Sequence, residues 1–92
     1  MDTNHNWKSI FERWPNDLPR RGLVTTTLDE QFPFKGYMMA GDMILLERTN
    51  VDPLGTRYMF VPYANIAAVK IVDVIQEKIF ASMGYEGKLS GK

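Results

Sequence analysis

The chain has 92 residues, and its eleven basic and eleven acidic side chains give a formal net charge of zero. This balance argues against a protein built mainly to grip the phosphates of a nucleic acid, and the absence of cysteine excludes disulfides and cysteine-ligated zinc. Hydrophobic residues make up 45% of the chain, an ordinary value for a globular protein, and the length predicts one small domain over residues 1–92.

The first predicted element is a short N-terminal helix over residues 5–14. Its apolar residues follow the i, i+3, i+4, i+7 spacing of one helical face: Trp7, Ile10, Phe11 and Trp14. Pro15 cannot continue the helix, because it has no amide hydrogen and disfavours helical geometry at the residue before it. This aromatic stripe either docks a protein partner or packs on the chain's own sheet, and we expect the packing role.

Five short strands are predicted between residues 22 and 72. Their expected bounds, in chain order, are residues 22–28, 34–40, 43–49, 56–62 and 66–72. These segments are rich in β-branched, aromatic and other apolar residues, and turn-forming residues separate them. Gly41 and Asp42 predict a two-residue hairpin, because glycine readily adopts the positive φ that such turns require. The order Asp52-Pro53-Leu54-Gly55 is typical of a type I turn.

A C-terminal helix is predicted over residues 74–83. Asp73 is its expected N-cap, and Gln76 three residues later completes a capping box. Gly84 stands where a C-terminal cap belongs. The remaining residues, 86–92, are mostly polar and contain glycine, which predicts a loose tail.

This order of elements predicts a mainly β fold: a small five-stranded antiparallel barrel or strongly bent sheet with a short helix at each end.

The strands are apolar almost throughout, whereas an antiparallel sheet with one face exposed to water alternates apolar and polar residues. Something must therefore cover the second face. We expect a second copy of the chain to do so, and the alternative is that the two helices suffice. The predicted interface residues are Met38, Met39, Tyr58, Phe60 and Tyr63.

The succession of a helix, five short strands and an aspartate-bearing hairpin turn resembles the Sm-like small β-barrel family, which includes a bacterial RNA chaperone that forms hexameric rings. Gly36, Met38 and Asp42 fall at that family's spacing of glycine, apolar residue and loop aspartate. The resemblance covers residues 7–72 and implies a small barrel and an assembly mode. The same features also fit an SH3-like barrel.

Two departures from the Sm-like pattern weaken the implied RNA contacts. The family's RNA-contacting asparagine, four residues after the aspartate, is replaced by Leu46, and the arginine–glycine pair of its second motif is missing near Pro62 and Tyr63. The runs EQFPF (residues 30–34) and LLER (residues 45–48) also resemble a small bacterial family, and that resemblance implies no function.

Arg20 and Arg21 form the main basic cluster of the sequence. Together with exposed aromatic side chains, they would give an Sm-like RNA-binding module, which is the alternative function. They would otherwise form ion pairs with Glu12 or Asp17, or solvate a loop.

No segment carries the pattern of an enzyme, a metal site or a cofactor site, which leaves a small enzyme as the last of the alternative functions. The lone histidine, His5, has no cysteine to share a zinc ion with, and the sequence lacks a nucleophile elbow and a phosphate-binding loop. No apolar run approaches the roughly 18 residues that span a bilayer, so we expect a cytoplasmic protein without a membrane partner. The predicted function is a non-enzymatic binding or assembly module of unidentified ligand, which self-associates through strand edges or an apolar outer face.

Overall fold

The computed structural model describes the backbone of residues 3–90 and the side chains of residues 6–90. The helices are α1, Thr3–Glu12, and α2, Glu77–Ser82. The strands are β1, Gly22–Thr26; β2, Gln31–Ala40; β3, Met43–Arg48; β4, Tyr58–Pro62; and β5, Ile66–Lys70. A one-turn 3₁₀ helix, Tyr63–Asn65, joins β4 to β5. Every predicted helix and strand is therefore present, with differences at the ends.

The five strands form one antiparallel sheet in the order β4-β3-β2-β1-β5. This arrangement confirms the predicted mainly β fold with a short helix at each end. Within residues 3–90, β4 pairs with β3 alone and β5 pairs with β1 alone, so the sheet is open rather than closed into a barrel. Both outer strands leave one hydrogen-bonding edge without a partner strand in this part of the chain.

A bulge in β2 lets both Phe34 and Tyr37 face the core. Side chains alternate along a strand, so two residues three positions apart would normally point to opposite faces. The register between β2 and β3 shifts at Lys35, which has no partner on β3, and this extra residue brings Tyr37 back to the side of Phe34.

Helix α1 covers one face of the sheet, which we call the inner face. The ring of Phe11 meets the ring of Tyr37 edge to face at 5.0 Å and stacks on the ring of Trp14 at 5.6 Å. The predicted aromatic stripe thus packs on the chain's own sheet. The buried apolar core consists of Phe11, Trp14, Leu18, Val24, Phe34, Tyr37, Ile44, Leu46, Val61, Tyr63 and Ile66.

Both predicted turns are confirmed. Gly41 has a φ of +58° in the tight turn between β2 and β3, a backbone conformation that favours glycine. The amide of Gly55 donates to the carbonyl oxygen of Asp52 at 2.8 Å and closes the turn before β4. The Asp52 carboxylate also accepts from the amides of Thr56 and Leu54, and these hydrogen bonds lower its pKa below the usual value.

The predicted start of the C-terminal helix at Asp73 is wrong. Helix α2 begins at Glu77, after an N-cap residue Gln76 whose side chain makes no capping hydrogen bond. Asp73 instead binds Arg21, which lies 52 residues earlier in the chain. The predicted C-terminal cap is confirmed, because Gly84 has a φ of +100° and its amide donates to the carbonyl oxygen of Ala81.

Residues 86–90 of the predicted loose tail have no helix or strand, but they are tied to the rest of the chain. The amide of Leu89 donates to the Glu77 carboxylate at 2.9 Å. Gly91 and Lys92, which the same prediction included, lie outside the described residues.

Neither helix has the length and apolar character needed to cross a bilayer, as judged over the described residues.

Candidate functional site

The face of the sheet opposite α1 carries a row of apolar side chains across three strands. The register places Met38 beside Leu45, and Leu45 beside Phe60. Directly paired residues project to the same face, so the three side chains form one continuous row. Met38 is 69% exposed and Phe60 is 73% exposed, while Leu45 lies half-buried between them.

Neighbouring rows widen this patch. Residues two positions apart along a strand share a face, which places Tyr58 beside Phe60 on β4 and Met43 beside Leu45 on β3. Tyr58 is 61% exposed. We call the following five residues the outer apolar surface: Met38, Met43, Leu45, Tyr58 and Phe60.

The outer apolar surface continues to the free edge of β4. This strand pairs with β3 alone within residues 3–90 and carries both Tyr58 and Phe60. A free edge presents unpaired amide and carbonyl groups, which can add a strand from another chain. Soluble monomers rarely leave a contiguous apolar patch at such a position.

Two of the predicted interface residues lie elsewhere. Tyr63 is completely buried against α1 in the 3₁₀ turn, so it belongs to the core, and the structure corrects that part of the prediction. Met39 alternates with Met38 and therefore projects to the inner face, where it is 38% exposed at the rim. The sequence already indicated that Tyr63 faces the core. Side chains alternate along β4, and Tyr63 continues the inward-facing set of Met59 and Val61.

The Tyr63 hydroxyl is buried without a hydrogen-bond partner among the described residues. Burial raises the pKa of this phenol, and the carboxylates of Glu12 and Asp42 raise it further. A buried hydroxyl without a hydrogen-bond partner lowers the free energy of unfolding, because its lost hydration is not compensated.

The two arginines of the basic cluster each have a partner within the chain. Arg21 makes a bidentate pair with Asp73, with its Nη2 at 2.7 Å from one carboxylate oxygen and its Nε at 2.9 Å from the other. This hydrogen bonding lowers the pKa of Asp73. The guanidinium of Arg20 lies 4.8 Å from the centre of the Tyr37 ring, in a cation–π contact.

These arginines and the exposed aromatic side chains do not come together. The ring of Tyr37, under Arg20, belongs to the inner face, whereas Tyr58 and Phe60 project from the opposite face. The structure therefore places the two halves of the predicted RNA site on different sides of the sheet.

A second feature, which sequence reasoning missed, is a cavity of about 600 Å³ between α1, β5, α2 and residues 85–89. Most of its lining side chains are apolar and come from α1, β5, α2 and the residues that follow each of them; they include Trp7, Trp14, Val69, Ile71, Phe80 and Met83. We call this cavity the apolar recess. The sequence contained one sign of this recess in the apolar stripe of α1. The sheet covers only part of that stripe, because Trp7 and Ile10 stay half-buried.

No cluster of three histidine, cysteine, aspartate or glutamate side chains suited to a metal ion occurs among the described residues. The side chain of His5 lies outside them.

The sequence matches no protein-family model, and comparisons with curated proteins and with solved structures find no match.

Proposed function

We propose that this chain is a non-enzymatic assembly module that self-associates through the outer apolar surface and the adjoining edge of β4. The observation that carries the proposal is the continuous row of Met38, Leu45 and Phe60, which neither helix covers. Helix α1 lies on the inner face, and α2 lines the apolar recess together with α1 and β5. The second face of the sheet is therefore left for another molecule.

Association at this surface has two favourable sources of free energy. Burying a large apolar side chain such as Phe60 or Met38 contributes about 1.5–3 kcal/mol. Because β4 is an edge strand, the same contact also offers its free amides and carbonyls to a neighbouring strand. A symmetric pair would bury each exposed side chain twice, once in each copy.

The layout of the chain supports the proposed relationship to Sm-like and SH3-like small barrels. A helix precedes five short strands, the hairpin after β2 carries Asp42, and a tight turn precedes the last strand. We propose that the chain shares with these families its general fold and a tendency to assemble.

The alternative, an RNA-binding module, is less well supported by the arrangement of side chains. Arg21 is occupied by Asp73, and Arg20 lies on the side of the sheet away from Tyr58 and Phe60. Titration with mixed oligonucleotides at several salt concentrations would distinguish the two functions, because neutralising several phosphates produces a steep salt dependence. Tight, salt-sensitive binding that Arg20→Ala abolishes would favour the RNA module.

The molar mass in solution tests the assembly proposal. Size exclusion coupled to light scattering should give a mass of two or more chains at tens of micromolar protein, and Phe60→Glu should give the mass of one chain. The matched control is Leu54→Glu, since Leu54 is 92% exposed in the loop before β4 and is not one of the residues of the outer apolar surface. Circular dichroism would verify that both variants fold. A parent protein that stays monomeric, or a Phe60→Glu variant that keeps the larger mass, would contradict the proposal.

A further inference from the structure

We propose that the apolar recess binds a small uncharged molecule with an aromatic or aliphatic body. This inference concerns a different site from the outer apolar surface and does not depend on self-association. The volume of about 600 Å³ lies in the range of pockets that enclose drug-sized ligands.

The walls of the recess come from elements that are far apart in sequence. Trp7 and Trp14 belong to α1 and the turn after it, Val69 belongs to β5, and Phe80 and Met83 belong to α2 and its C-terminal cap. The indole of Trp14 is held in place by a hydrogen bond of 3.0 Å from its Nε1 to the carbonyl oxygen of Leu18. A rigid aromatic wall of this kind is typical of sites that recognise apolar ligands.

The recess is open to solvent on one side, so its apolar walls contact water instead of packing against other protein atoms as they would in an interior. Water gains little in such a space, because apolar walls offer it few hydrogen-bond partners. An apolar molecule that displaces this water buries its own surface and that of the wall together.

The distribution of charge selects an uncharged ligand. The charged side chains that line the recess are Glu77, Glu86 and Lys88, all from α2 and the segment after it. Glu77 is already engaged, because its carboxylate accepts the amide of Leu89. Among the side chains that the structure describes, those that line the recess from α1 and β5 carry no charge, so a charged ligand that entered deeply would lose its hydration without gaining a partner.

The C-terminal segment forms one side of the recess, which suggests how a ligand is enclosed. Tyr85 and Leu89 both line the cavity, and both are more than half exposed. The hydrogen bond between Leu89 and Glu77 ties this segment to the start of α2. A bound apolar molecule would bury the side chains of Tyr85 and Leu89 further.

Fluorescence provides a direct test, because both tryptophans of the chain line the recess. The probe is the neutral dye N-phenylnaphthylamine, compared with the similar but negatively charged dye anilinonaphthalene sulfonate. We expect saturable binding of the neutral dye at one site per chain, with energy transfer from tryptophan. We also expect its affinity to exceed that of the charged dye by about tenfold or more.

Two variants with the same change of side chain locate the binding site. Ala81→Phe adds a bulky ring at an exposed position that lines the recess, and it should weaken binding of the neutral dye about tenfold. Ala67→Phe makes the same change at an exposed position of β5 that does not line the recess, and it should leave binding unchanged.

The Phe60→Glu variant separates this inference from the proposed function. It removes an exposed side chain from the outer apolar surface and should leave dye binding intact, whatever its effect on molar mass. Loss of binding in that variant would show that the dye sits on the outer surface and would overturn the inference. Absence of saturable binding, equal affinity for the charged dye, or full binding by Ala81→Phe would overturn it as well.

Discussion

The hydroxyl of Tyr37, on β2, donates a hydrogen bond of 2.9 Å to the backbone carbonyl oxygen of Phe11, near the end of α1. The two rings also meet edge to face. This pair of residues fixes the helix to the inner face of the sheet and so determines which face is left uncovered. The assembly proposal depends on that asymmetry, because Met38, the neighbour of Tyr37, points the other way.

Two tyrosine-to-phenylalanine changes should have different effects on stability. Tyr37→Phe removes a buried hydrogen bond and should lower the free energy of unfolding by about 1 kcal/mol. Tyr63→Phe removes a buried hydroxyl that has no partner among the described residues, so stability should stay the same or rise. Urea unfolding followed by circular dichroism measures both. A Tyr63→Phe variant that loses as much stability as Tyr37→Phe would indicate a hydrogen bond at Tyr63.

Alkaline pH should destabilise the fold through Tyr37. Burial raises the pKa of Tyr37 from 10.0 to about 12, because the ionised phenolate is poorly solvated. The folded state therefore holds this proton more tightly than the unfolded state. The resulting stabilisation is fully present below pH 10 and is lost as the pH rises from 10 to 12.

The Tyr37→Phe variant isolates this contribution from those of the other tyrosines. Unfolding midpoints in urea, measured at intervals between pH 9 and pH 12, should fall less steeply for the variant than for the parent protein. Parallel curves would mean that Tyr37 does not titrate differently in the folded and unfolded states.

The sequence predicted the elements of this fold well, because the relevant signals are local. Hydrophobic spacing located α1, and Gly41 and Asp52 located the turns. The bulge at Lys35 could not be predicted, since it exists only through the pairing of β2 with β3. The apolar recess escaped prediction for a related reason: Trp7, Val69 and Phe80 are brought together by tertiary packing and not by any spacing in the chain.

The start of α2 shows a local signal that a distant contact overrides. Asp73 and Gln76 have the spacing of a capping box, but the Asp73 carboxylate is used by Arg21. A bidentate pair with arginine satisfies both carboxylate oxygens, whereas a cap satisfies one backbone amide. The segment between β5 and α2 is thereby held to the residue that precedes β1.

The pair of Arg21 and Asp73 should be visible as a carboxyl titration. Hydrogen bonding to Arg21 lowers the pKa of Asp73, so its stabilising effect is present above the usual aspartate pKa and is lost as the pH falls through the lowered value. Arg21→Ala should return the pKa of Asp73 towards 3.8, measured by carbon-detected NMR. Arg13→Ala is the matched control, since Arg13 donates to the carbonyl oxygen of Met83 and does not contact Asp73. Equal titration curves in all three proteins would contradict the pairing.

A last prediction concerns the close approach of β1 and β5 at Gly22. A Cβ atom placed on Gly22 would clash with the backbone oxygen of Lys70, which the sheet holds in position. Gly22→Ala should therefore lower the free energy of unfolding by about 1–3 kcal/mol, because one strand must move. At Gly36, the nearest atom to an added Cβ is a carboxylate oxygen of Glu47 at 3.0 Å, on a flexible side chain that can turn away. Gly36→Ala should cost less in the same denaturant titration, and the reverse order would show that β1 and β5 are less closely packed than the register implies.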